Sequence, residues 1–151
     1  MSHRAQQVID AMRANITANT VMNWTVYRQR IDGLDVSEME LPAVSVTFST
    51  DLPFSPLGAE NLNFIDSLQT VDVVLVAEGA SEDDVVIALM EMRRQTHIAV
   101  QADRTQGLAF VIDTRYGGAD PPVLNASGDR FAGSMKTLWH VYYRMNVLDP
   151  S

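Results

Sequence analysis

Cysteine is absent from the chain, lysine occurs once, and no apolar run comes near the length that crosses a bilayer. Without cysteine there is no disulfide framework, no thiolate zinc site and no cysteine nucleophile. A spanning helix needs roughly 20 consecutive apolar residues, and the segment after Met1-Ser2-His3-Arg4 mixes polar and apolar side chains from the start. Neither an export signal nor a membrane contact is expected, so the Asn-x-Ser/Thr triplets at Asn15, Asn23 and Asn125 carry no weight as glycosylation sites. Histidine is scarce as well: His3, His97 and His140 lie far apart, with no His-x-His or His-x-x-x-His spacing. A zinc site needs several converging ligands, and no metal is expected. Gly-x-Ser-x-Gly does not occur, and Gly117-Gly118 falls between two strands, not between a strand and a helix where a phosphate is held. The expectation is no enzyme, with no catalytic residue and no cofactor.

What is present fits a single domain over residues 1–151, 46% hydrophobic and 20% charged. The charge is unevenly spread. Between 31 and 92 there is no Lys or Arg but there are 13 acids, from Asp32 to Glu91. The other 89 residues hold all 11 bases and only 6 acids, a surplus of five positive charges against a net of −8 for the whole chain. Ten of the bases are arginine, the residue suited to bidentate pairs between surfaces. Such a division lets copies of one chain complement each other, although on charge alone plain solubilising charge is the better account. No basic patch of the kind that binds nucleic acid is apparent.

Hydrophobic spacing predicts the elements. Ala5, Val8, Ile9, Met12 and Ile16 recur at helical spacing and stop near 15–19. A short strand over 24–28, a turn at Asp32-Gly33, and a strand from Leu41-Pro42 to Phe48 follow. A third strand covers 64–77, with Val71, Val73 and Leu75 on one face and Asp66, Thr70 and Asp72 on the other. Ser81 caps a second helix whose first turn holds Glu82, Asp83 and Asp84, and whose buried stripe is Val85, Ala88, Leu89 and Met92. Arg93 and Arg94 are placed near its negative end. Leu108, Phe110, Ile112 and Tyr116 share a face of the fourth strand. In the fifth, Met135, Thr137, Trp139, Val141, Tyr143 and Met145 face one way and Ser134, Lys136, His140, Tyr142 and Arg144 the other. The fold class is α+β: a mixed, mostly antiparallel five-stranded sheet with two helices on one face, in the order α-β-β-β-α-β-β. The crossover through the second helix implies one parallel pair.

Two long connections, 49–63 and 117–131, carry prolines and apolar residues, among them Phe54, Leu57 and Leu124. Long loops of this kind serve docking to other chains. The acids at 82–84 are explained by the helix start without a metal, Glu38 and Glu40 by solvation, His140 by a surface or interface position, and Trp24, Trp139, Tyr142 and Tyr143 by packing.

Leu41-Pro42-Ala43-Val44-Ser45-Val46, the strand over 68–76, the acid-started helix over 81–94, and the closing pair at 111–116 and 136–145 also have a collective likeness. In order and spacing they resemble the tail terminators of long-tailed bacteriophages, the lambda-type minor tail proteins that cap the tail tube. The two long loops depart from that pattern. The resemblance implies a structural virion protein at the neck, made in the host cytoplasm, that assembles as a homo-hexameric ring on the last tube ring. It would end tube polymerisation and offer a joining surface to a head-side neck or connector protein, while DNA passes through the bore without sequence-specific binding. On that basis Arg93, Arg94, Phe54, Leu57, Leu124, Arg130, His140 and Arg144 are expected at subunit or tube interfaces. Asp51, Glu60, Asp66 and Asp72 are expected to line an acidic bore. Two alternatives stand beside this: another phage neck protein, of the head-completion or tube-joining kind, and a small cytoplasmic ligand-binding domain.

Overall fold

Valines on a period of two build the centre of the molecule, because a strand turns alternate side chains to opposite faces. The computed structural model describes residues 2–19, 24–28, 40–53, 63–127, 130–146 and 148–151. The expected turn at Asp32-Gly33 and the middle of the first long connection, with Phe54, Leu57 and Glu60, lie outside the described residues. The elements are α1 (Arg4–Asn19), β1 (Thr25–Tyr27), β2 (Ala43–Pro53), β3 (Phe64–Gly79), α2 (Glu82–Gln101), β4 (Val111–Ala119), β5 (Val123–Ser127) and β6 (Arg130–Asn146). Their strands form one mixed, mostly antiparallel sheet in the order β1-β2-β3-β6-β4, with β5 paired to the start of β6. This is an α+β fold. β3 and β6 pair along their whole length, from Phe64↔Asn146 to Gly79↔Phe131.

Both helices pack on one face of that sheet. Val8, Ile9, Met12 and Ile16 of α1 and Val85, Leu89 and Met92 of α2 bury against Val44, Val46, Val71, Val73, Leu75, Met135, Trp139, Val141 and Tyr143. His3 begins α1, its Nδ1 accepting from the Ala5 N–H at 3.0 Å. Ser81 begins α2, its Oγ accepting from the Asp84 N–H at 3.2 Å. A turn with Gln106 at φ 55° and Gly107 at φ 71° follows α2. Gln106 is buried there and joins three elements: its Nε2 donates to the Val100 carbonyl at 2.9 Å and to Thr114 Oγ1 at 3.2 Å, and its Oε1 accepts from Asn15 Nδ2 at 2.7 Å. On the far face Ala43, Val74 and Val76 form a smaller cluster with Tyr27 and Leu41.

Several boundaries differ from the sequence-based expectation. Among the described residues the sheet has six strands, because Val123-Leu124 pairs with Gly133-Ser134 where the sequence predicts a loop over 117–131. β2 likewise runs on to Pro53, with a bulge between Phe48 and Thr50 that lets Thr50, Asp51 and Leu52 pair with Thr70, Gln69 and Leu68. The parallel pair is β1 with β2 and not the two strands joined by α2, because β6 inserts between β3 and β4. In β4 a register shift between Val111 and Asp113 reverses the expected facing: Val111 is buried and Ile112 is exposed. A second shift lies between Tyr116 and Gly118, whose φ of 114° suits glycine. α2 continues to Gln101, burying Thr96, Ala99 and Val100, so Arg93 and Arg94 lie mid-helix with no base in the last turn.

Gly133 marks a tight crossing. A Cβ there would come 2.8 Å from both Leu124 Cδ2 and Val85 Cγ1. Gly133→Val is expected to destabilise the fold by about 2 kcal/mol through overpacking, read from the midpoint of urea unfolding. A change below a few tenths of a kcal/mol would show that β5 moves away freely.

Candidate interaction surfaces

Among the described residues no cluster of His, Cys, Asp or Glu converges as metal ligands, so the groups of interest are surface pairs and exposed apolar side chains. Arg93, half-buried, turns inward: its Nη2 donates to Tyr116 Oη at 2.5 Å and its guanidinium lies 5.6 Å from the Tyr116 ring centre. That tyrosine belongs to an aromatic group in which His97 and Tyr116 each stand against Trp139, at 5.3 and 5.4 Å. Arg94 is exposed and forked onto Glu91 at 2.8 and 3.0 Å. Arg130 opens β6 and pairs with Glu78 on the neighbouring strand. Leu124, expected on a docking loop, instead packs half-buried against the core because β5 belongs to the sheet.

His140 and Arg144 lie on the sheet face opposite the helices. The His140 Nδ1 is 3.3 Å from Thr70 Oγ1. Arg144 grips Asp66 through Nε at 2.7 Å and Nη2 at 3.1 Å, and stands 4.6 Å over the Phe64 ring. In the same region Leu52, Leu68 and Tyr142 fall in one cross-strand row, and Arg115 lies 5.2 Å over Tyr142. Leu52 and Phe64 are exposed.

The four acids expected in a bore are not grouped as free charges. Asp72 is buried, and Asp66 is bound by Arg144. Asp51 accepts from Tyr143 Oη at 2.5 Å, on the helix-bearing side. Burial, and then that hydrogen bond, push the Tyr143 hydroxyl pKa up. Glu60 lies outside the described residues.

The ion pairs make a pH prediction. Hydrogen bonds from Arg94 and then Gln95 lower Glu91, but that pair is open to solvent and screened, so it adds little. The Arg144 hydrogen bond lowers Asp66. For Asp113, burial pushes the carboxyl up, but hydrogen bonds from Arg115 and Arg104 outweigh it and leave it lowered. A carboxyl lowered in the folded state adds stability above its unfolded pKa and loses it as pH falls toward the folded value. Thermal stability should therefore hold from neutrality to about pH 4, the ordinary carboxylate range, and decline below it. Arg144→Gln should flatten part of that decline. A decline that begins near pH 6 would assign it to histidine instead.

Sequence reasoning missed one surface. Ile87, Met90 and Ile98 are exposed on the outer side of α2, opposite its buried stripe. The signal in the sequence is a second apolar period on the same helix, Ile87, Met90 and Ile98, weaker than the stripe of Val85, Leu89 and Met92. Next to it, Met90, Arg93, Arg94, His97 and Ile98 line a shallow hollow of about 270 Å³. No protein-family model matches the sequence, and no curated protein matches it significantly.

Proposed function

We propose that this chain is a structural virion protein that caps a phage tail tube as a closed ring, ends its polymerisation and offers a joining surface to the head. One observation carries the reading. The segments that resemble tail terminators lie together in one unit: 41–46 leads into and forms β2, 68–76 is the middle of β3, 81–94 is the start of α2, and 111–116 and 136–145 belong to the neighbouring strands β4 and β6. A ring closes head to tail, so each subunit needs two different faces. The sheet supplies two at opposite ends among the described residues, the edge strands β1 and β4. The shifts in β4 at Val111/Asp113 and Tyr116/Gly118 interrupt its free edge and limit indiscriminate strand pairing.

The acidic-bore element of the reading is narrowed by the placement of Asp51, Asp66 and Asp72, which are tucked in or paired. Repulsion of passing DNA then rests on the net charge of −8 carried by each copy. There is no reaction in this mechanism: one face fits the tube end and the other refuses a further tube subunit. Adding the protein to cognate tail-tube protein during polymerisation should stop elongation and leave short tubes. Tubes that lengthen at an unchanged rate would overturn the proposal.

A further inference from the structure

Residues three or four apart share one side of a helix. On the outer side of α2 this places Asp83, Ile87, Met90 and Arg94 in a line, continued by Ile98. The three apolar residues are 67%, 41% and 53% exposed in chain order, although a helix that buries its other face has no need of apolar groups in water. The line reads acid, apolar, apolar, base. Asp83 and Arg94 are equidistant from the Ala88–Leu89 peptide, and so are Ile87 and Met90. A half-turn about an axis through that peptide therefore brings Asp83 level with Arg94 of a second copy, and Ile87 level with its Met90.

We propose that the outer face of α2 is a self-association surface, where a second copy of this chain packs its own α2 antiparallel about a two-fold axis. The pattern complements itself in charge at both ends and in apolar surface between them. The hollow lined by Met90, Arg93, Arg94, His97 and Ile98 lies at the level of the second copy's first helical turn and receives it. The pair that Arg94 makes with Glu91 is an exposed one, 62% and 42% open to solvent, and holds the guanidinium only weakly. The contact spans roughly three turns of helix, which suits a weak dimer rather than an obligate one. It does not rest on the ring reading: a ring is head to tail, whereas this contact is two-fold.

Sedimentation equilibrium over a wide concentration range tests it. The native chain should pass from the mass of one chain toward that of two. Asp83→Arg and Arg94→Asp, both at exposed positions, should each weaken dimerisation by about tenfold or more, like charges now facing each other. Mixed in equal amounts, these two variants should dimerise again, since each chain supplies the charge the other lacks. Ile87→Asp should abolish association while circular dichroism stays native. A native chain that keeps the mass of one at every concentration would overturn the inference. So would charge variants that associate as the native chain does, or a mixture that gains nothing over its parts. Tube capping by a chain that fails these tests would leave the functional proposal standing.

Discussion

Trp139→Ala is expected to lower the unfolding free energy by about 4 kcal/mol, the range for an aromatic removed from a core. Trp139 is 1% exposed near the middle of β6, level with Val71 of β3 and Tyr116 of β4. Its ring stands 5.3 Å from His97 of α2 and 5.4 Å from Tyr116, so its loss opens a cavity where helix, central strand and edge strand meet. The surrounding backbone is held by strand pairing on both sides of β6 and has little freedom to collapse into the space. The indole N–H has no partner among the described residues, which makes the residue's contribution one of packing. Trp139→Phe should accordingly recover most of the loss. Urea unfolding of both variants decides this, and a cost for Trp139→Ala below about 1 kcal/mol would show that the aromatic group is loosely packed.

Arg13→Ala is expected to cost about 2 kcal/mol, the range for hydrogen bonds from a charged donor. The Arg13 side chain is 16% exposed, and burial is the main influence lowering its pKa. One Nη2 reaches two carbonyls, Val46 of β2 at 2.9 Å and Arg28 just past β1 at 3.0 Å, while Nη1 meets Asp10 at 3.1 Å. The guanidinium therefore ties α1 to the edge where β1 and β2 run parallel. Arg13→Lys should restore little, because an ammonium lacks the planar fork. Hydrogen exchange gives the more specific reading: amides of 25–27 should lose protection in Arg13→Ala while those of β3 and β6 keep theirs. Uniform loss across the sheet would assign Arg13 a global role.

The two helices, the long central strand and the inward face of β6 were legible because each rests on a local period. Val8, Ile9, Met12 and Ile16 show one helical stripe, and Met135, Thr137, Trp139, Val141 and Tyr143 one strand face. What was not legible depends on partners distant in sequence. Val123-Leu124 becomes β5 because β6 extends far enough to pair with it, and Pro121-Pro122 beside it reads locally as loop. Ile112 and Val111 exchange faces because of a bulge set by pairing with β6. An arginine in sequence carries no sign of whether it meets solvent, and here Arg93 is taken up by Tyr116, Arg144 by Asp66 and Arg130 by Glu78. The exposed stripe of α2 was readable in principle, from Ile87, Met90 and Ile98 spaced three and eight residues apart on the side away from Leu89.

Electron microscopy of tail tubes mixed with the protein tests tube capping most directly. The proposal predicts added density at one tube end only, ring-shaped and of the same rotational symmetry as the tube, with bare side walls. Tube ends that stay unoccupied, while the protein binds the portal of the head instead, would contradict it.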